Sequence, residues 1–193
     1  MPRTDFGEKI FTGQKQGQFI KLEKQGESIT FRIANVPAYD GKHWIDKIMS
    51  YCPKIMKQDV ESKCQFCEKA NSSQDAEEKR KYKVKVNFYF PILNKETRQA
   101  QIFQTGLSVR NAIEDYQKNG IDVYKSDWKV VRNEGDDPAR YYLTIRLDTT
   151  KLTKEEEEAL GEAAGFDLEK MTSKSFPKKE EENFIDEVSK EIE

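Results

Sequence analysis

Residues 82–90 read Tyr-Lys-Val-Lys-Val-Asn-Phe-Tyr-Phe, and this stretch decides the fold. Tyr82, Val84, Val86, Phe88 and Phe90 fall on one side of an extended chain, and Lys83, Lys85, Asn87 and Tyr89 on the other. A strict period of two is the signature of a β-strand with one face in a core and one in water. Downstream, Arg98–Thr105 is its expected partner, reached by a loop around Leu93–Thr97. Upstream, Ser28–Ala34 alternates in the same way, with Ile29, Phe31 and Ile33 inward and Thr30 and Arg32 outward. A short run, Phe19–Lys24, and a Gln25-Gly26 turn precede it. Trp128–Arg132 and Tyr141–Leu147 form a further hairpin across Asn133–Pro138. Leu107–Lys118 breaks the β pattern: Val109, Ile113 and Tyr116 recur at helical spacing, and Asn119-Gly120 ends the helix. Thr153-Lys-Glu-Glu156 is a capping box that opens another helix, to about Ala164.

These elements predict a mainly β fold with minor α: an OB-type barrel with a zinc-binding insertion and an acidic C-terminal tail. An open sheet with a helix satisfies the same periodicity. The expected organisation is an N-terminal arm over 1–18, a body over 19–151 that contains the insertion 37–81, a helical extension over 152–171, and a disordered tail over 172–193. The insertion differs in kind from its surroundings. It holds Pro37, Asp40-Gly41, the His and every Cys, then a polar stretch, Asn71–Arg80, that reads as one short exposed helix. Something other than a hydrophobic core is expected to hold it.

Composition narrows the function classes. Of 193 residues 36% are hydrophobic and 35% charged, and the mean hydropathy is -0.89. No apolar run approaches the length of a membrane span. The opening MPRTDFGEKIF lacks the apolar region of a signal peptide, so a cytoplasmic protein is expected. Residues 1–151 hold 27 Lys+Arg against 21 Asp+Glu, while 152–193 hold 6 against 14. A basic body with an acidic end fits a nucleic-acid-binding body with an interaction tail, and equally a solvated helix with a frayed end. In that end Phe184, Ile185, Val188 and Ile192 recur three or four apart, a spacing that would form a helix on a partner protein.

His43, Cys52, Cys64 and Cys67 carry the sharpest chemical signal. The only His and all three Cys fall within 25 residues, the last two as CxxC. Three thiolates and one imidazole are the donors zinc prefers, and together they close a tetrahedral structural site. A catalytic zinc needs an open position, which four protein ligands do not leave. The H-x-E of zinc deaminases is absent, since Trp44 and Ile45 follow His43. A redox CxxC lacks its βαβ context and leaves Cys52 and His43 without a role. Unrelated free thiols are the remaining reading.

Single-stranded nucleic acid is held by cations along its phosphates and aromatic rings under its bases. By parity, Lys83, Lys85 and Tyr89 share an outer strand face, joined by Arg32, Tyr142 and Arg146 on neighbouring strands. Arg98, Lys129, Arg132 and Arg140 are expected at its rim, and Tyr39, Trp44 and Tyr51 are placed to stack on bases. Phe31, Phe88, Phe90 and Trp128 are assigned to the core. Nothing indicates catalysis: no phosphate-binding GxxxxGK[ST] occurs, and no second His is present to activate a nucleophile.

One His followed by three Cys, the last pair as CxxC, in a body of this kind with an acidic tail resembles the single-stranded-DNA-binding (helix-destabilising) proteins of T-even-like phages. The order His43, Cys52, Cys64, Cys67 matches that arrangement. Asp122-Val-Tyr-Lys-Ser-Asp-Trp128, then Lys129–Arg132, Gly135 and Tyr141, look like the family's later strand region. The resemblance runs in order over about residues 19–150. The family's long basic N-terminal arm has no counterpart in Met1–Gly13, whose only basic residues are Arg3 and Lys9. The resemblance implies sequence-independent binding of single-stranded DNA in phage replication, recombination or repair, in the host cytoplasm. It also implies a tail that contacts replication or recombination proteins. Two rivals remain: a zinc-containing adaptor that recruits replication or transcription proteins without touching nucleic acid, and an RNA-binding OB protein.

Overall fold

Strand β5 (Lys85–Asn94) is the axis of the fold. Along one edge it pairs antiparallel with β6 (Gln99–Gly106), from Asn87 opposite Gly106 to Asn94 opposite Gln99. Two strands share its other edge: β3 (Ala38–Ile45) takes Lys85–Tyr89, and β2 (Ser28–Ile33) takes Ile92–Asn94. Beyond β2 lie β7 (Asp127–Arg132) and β8 (Tyr142–Leu147), both antiparallel. β1 (Phe19–Ile20) is two residues long and runs parallel to β6, and β4 (Ile48–Tyr51) extends β3 as a hairpin. This computed structural model describes residues 19–46, 48–56, 63–133 and 142–168. The expected arm over 1–18, the tail over 172–193 with Phe184, Ile185, Val188 and Ile192, and Arg140 lie outside them. No helix among the described residues is long and apolar enough to cross a membrane.

The alternation that defines the strands also builds the core. Ile29, Phe31 and Ile33 of β2, Phe88, Phe90 and Ile92 of β5, Phe103 of β6, and Trp128 and Val130 of β7 line one face. Helix α4 (Leu107–Lys118) inserts Val109 and Ile113 into that face. Each fully buried large apolar side chain here contributes about 1.5–3 kcal/mol, and Phe31, Phe88, Phe90 and Trp128 all take the core positions expected of them. The opposite face is covered only in part. Helix α5 (Lys154–Ala164) packs there against β5 and β6, over the buried Leu93 and Ile102. Its Thr153–Glu156 capping box makes both reciprocal bonds, and the Glu156 carboxylate also receives Lys95 Nζ at 2.7 Å.

The ladder does not close. Its order is β1-β6-β5-β2-β7-β8, with β3 and β4 branching from β5, so β1 and β8 are its two ends. The sheet nevertheless curls far enough for the ends to meet through side chains. Arg132 Nη1 donates to the Leu22 carbonyl oxygen at 2.7 Å, and the Tyr142 hydroxyl donates to the same oxygen at 3.4 Å. Among the described residues the architecture is therefore an open, curled, mixed sheet rather than a barrel closed by backbone pairing.

The segment expected to lack a core of its own has one. Ile45, Phe66 and Tyr82 are buried together with Cys52 and Cys64, and Ile55, Ala70 and Val84 pack against them. The short exposed helix expected over Asn71–Arg80 is found as α3 (Ala76–Tyr82), starting later than expected, and a further helix, α2 (Gln65–Ser72), precedes it. They break at Ser73–Asp75, where the Asp75 carboxylate caps α3 by accepting from the Glu77 backbone N–H at 2.9 Å.

Candidate metal centre and basic–aromatic face

Each ligand of the metal quartet is placed by a different piece of local structure. β3 carries His43 inward, on the side of the sheet that Phe88 occupies. Cys52 follows β4 and opens the short helix α1 (Pro53–Met56), with Pro53 at the first helical position, where no N–H is needed. The Cys52 N–H donates to the Gly41 carbonyl at 2.8 Å, which ties that turn back onto β3. Gly41 is required at this crossing: a Cβ built on it would lie 2.6 Å from the Ile55 side chain. Cys64 is the N-cap of α2 and Cys67 lies in its first turn, so the positive end of that helix faces the sulfurs.

The four donor atoms lie within 4.8 Å of one another. His43 Nε2 is 3.3 Å from Cys64 Sγ and 3.7 Å from Cys67 Sγ, and Cys52 Sγ is 3.5 Å from Cys67 Sγ. Ligands of a tetrahedral zinc with bonds of about 2.0–2.3 Å stand about 3.5–3.8 Å apart, so these separations fit that ion. The imidazole is oriented for the task. Its Nδ1 is 2.8 Å from the Tyr82 carbonyl oxygen, so Nδ1 carries the proton and donates it there, leaving the Nε2 lone pair facing the sulfurs. Phe66 encloses the site, tilted against His43 at 5.3 Å and stacked on Tyr82 at 6.3 Å.

The thiols constrain one another. The hydrogen bond to Cys52 and burial push the Cys64 thiol up to about 11, burial pushes Cys67 up, and the bond from Cys64 lowers Cys52. Three crowded sulfurs do not ionise together unless a cation compensates them, which a divalent soft metal does. The residues present fit a single structural zinc-type ion, held by His43, Cys52, Cys64 and Cys67. No protein-family model and no curated protein matches this chain.

On the outer side of the same strands lies a polar network that the sequence did not announce. The buried Asp40 carboxylate accepts from Asn87 Nδ2 at 3.0 Å and from the Tyr89 hydroxyl at 2.8 Å, and pairs with Lys42 Nζ at 2.8 Å. Tyr89, expected to stack on bases, is therefore committed to Asp40; burial and that carboxylate raise its phenol far above the usual range. Burial opposes the charge on Lys42, but Asp40 and Tyr51 more than offset this, and the ammonium sits 5.0 Å from the Tyr51 ring centroid. Lys42 stands opposite Lys85 in the ladder, and Trp44, two residues along β3 on that same face, is 51% exposed.

The other expected contacts do not converge here. Arg32 points away from Phe31 as parity requires, yet it is buried: its Nε donates to Asp127 Oδ1 at 2.8 Å and its Nη2 to the Thr150 carbonyl at 2.8 Å. Tyr142 and Arg146 were expected outward, but they share the inner face of the sheet with Trp128 and Arg132, and Leu143 and Ile145 face out instead. Arg132 is engaged with Leu22, Lys129 is half-buried between Thr30 and Ile145, and Tyr39 packs on Phe88 at 5.8 Å. Tyr51 is buried. Arg98 stands at the other end of β5 from Lys85, a strand length of about 30 Å away, beside Glu155 of α5. Of the expected set the structure brings Trp44, Lys85 and the buried Tyr51 to one face, with Lys83 two residues before Lys85 in the chain, and it adds Lys42.

Proposed function

We propose that the protein binds single-stranded DNA without reading its sequence, as a zinc-stabilised binding protein rather than an enzyme. The observation that carries this reading is Trp44. An indole half-exposed on a sheet face, beside Lys42 and Lys85 and on a strand whose next residue inward is a metal ligand, is a rigid platform for a base with cations at hand for phosphates. The resemblance to the helix-destabilising proteins of T-even-like phages supports a role in phage replication, recombination or repair. The curl of the sheet, with α4 on its inner face and its ends bridged at Leu22, supports an OB-type body. On this reading the ion is one structural Zn2+, and the acidic C-terminal segment meets replication or recombination proteins.

Tryptophan fluorescence tests the proposal directly, because Trp128 is fully buried and Trp44 alone is placed to report. Titration with oligo-dT is expected to quench the emission, less so as salt rises, with little response to duplex. No quenching and no mobility shift at low salt overturns it. Matched titration with oligo-rU separates RNA from DNA. The adaptor reading has one observation in its favour: Leu143 and Ile145, 48% and 36% exposed, stand side by side with alternate spacing on edge strand β8, as a protein-contact surface would.

A further inference from the structure

Between Lys79 and Lys85 the chain carries five cations in seven residues: Lys79, Arg80, Lys81, Lys83 and Lys85. No acidic residue occurs from there until Glu96. All five are exposed. The acids of α3 are confined to its start, where Asp75, Glu77 and Glu78 sit at the positive end of the helix, and the cations collect at its other end. Lys81 is engaged, with Asp46 at 2.9 Å. Among the described residues Lys79, Arg80, Lys83 and Lys85 have no acidic partner. Four like charges gathered within a span of roughly 15 Å repel one another unless an external anion compensates them.

Their placement relative to Trp44 is fixed at two points. Lys85 is the last β5 residue paired with β3, opposite Lys42, and Trp44 follows two residues along β3 on that same face. The carbonyl of Tyr82, the residue just before Lys83, is held by the imidazole of His43, the residue just before Trp44. The same ligand thus anchors both the exposed indole and the end of the basic run.

We infer that Lys79, Arg80, Lys83 and Lys85 form a phosphate track on the metal module, which leads a single strand onto Trp44. This rests on the single-strand reading and adds to it: the electrostatic contact comes from the outer surface of α3 and the start of β5, and Lys79 and Arg80 belong to it. The inner face that carries Arg132, Tyr142 and Arg146 does not take the strand.

The test is the salt dependence of oligo-dT binding by the full chain with its metal bound, in a variant carrying Lys79→Gln, Arg80→Gln and Lys83→Gln. Each lost phosphate contact lowers the slope of log affinity against log salt by about 0.7, so a loss of about two is expected, with Trp44 quenching retained at low salt. Lys118→Gln with Lys125→Gln, on other elements, is expected to leave the slope unchanged. Zinc content and melting temperature establish that each variant is folded, and the double variant Lys79→Gln, Arg80→Gln, confined to exposed helix, guards against a misfolded triple. An unchanged slope in a variant of the track, with the unaltered protein binding normally, overturns the track and leaves the function standing. Absence of binding by the unaltered protein overturns both.

Discussion

His43 and Trp44 are consecutive residues on β3 and face opposite sides of the sheet, one fully buried against the thiols and the other half-exposed beside Lys42. Stability and contact are thereby separated at a single peptide bond. Trp44→Ala is expected to weaken oligo-dT binding by about tenfold, since a stacked base is worth about 1–3 kcal/mol, while zinc content and melting temperature stay as they are. Fluorescence anisotropy of a labelled oligonucleotide, read beside a metal assay, checks both halves.

Removing the ion acts on the other side of that bond. A chelator leaves three crowded thiols, two of them buried, and an imidazole with no charge to organise them, and the small cluster of Ile45, Phe66 and Tyr82 is too slight to hold 63–82 alone. Chelation is expected to open α2 and α3 to limited proteolysis while β2, β5, β6 and β7 remain protected. A cleavage pattern indifferent to metal would contradict a structural ion.

The Arg32–Asp127 pair predicts a loss of stability without a loss of binding. Arg32→Met leaves the Asp127 carboxylate buried and short of its cation, which costs about 3–5 kcal/mol. Urea denaturation should show this, with oligo-dT affinity unchanged under native conditions. The pair also sets an acid limit. Burial pushes the Asp127 carboxyl up, but Arg32 and two bonds from Thr150 outweigh it and hold the group below its ordinary value. Its contribution is therefore complete above the unfolded carboxyl value of about 3.9 and disappears as pH falls through the lower folded value. A melting-temperature series from pH 6 down to pH 2.5 should lose this component in the unaltered protein and lack it in Asp127→Asn.

Gly41→Ala tests the crossing of β3 and α1. The added methyl meets the Ile55 side chain at 2.6 Å, and Ile55 cannot retreat without moving the turn that begins at Cys52. A loss of about 1–3 kcal/mol is expected, together with weaker zinc retention against a competing chelator. Pairing it with Ile55→Gly, which removes the Cβ as well as the branches that the methyl meets, should restore much of the retention.

How much of this was legible follows from the range of each interaction. The alternation over 82–90, the helix around Val109 and Ile113, and the capping box at Thr153 are local patterns that name their elements, but the first overran at its start: Tyr82 ends α3, and β5 begins at Lys85 and continues to Asn94, because Tyr82 is drawn into the metal module's own core. The four metal ligands were legible because thiols and imidazole are rare and their chemistry is specific. Asp40-Gly41 looked like punctuation, yet it runs through the middle of β3, because Gly41 is there to admit Ile55 rather than to turn the chain. Arg32 was assigned to the correct face, but residues 148–150 lie over that face and parity says nothing of what lies above a strand. On β8 the pattern misled outright: polar Tyr142 and Thr144 turn inward beside Arg132 and Val130, and apolar Leu143 and Ile145 turn out. An end strand whose inner side chains must reach across to Leu22 needs hydrogen-bonding groups there, and that demand appears only once the sheet is curled.

Among the described residues, two side-chain hydrogen bonds to one carbonyl and the packing of Tyr142 bridge the ends of an eight-stranded ladder that backbone pairing does not close. Such a seam parts at far lower free energy than any backbone-paired boundary, so the molecule has a built-in direction of breathing. Amides of β8 exchange with solvent ahead of those of β5, which is paired along both edges, and the inner face is uncovered from the Leu22 side first. A protein assembled this way keeps the β3–β5 junction and its metal module as a fixed anvil while the far end of the sheet flexes.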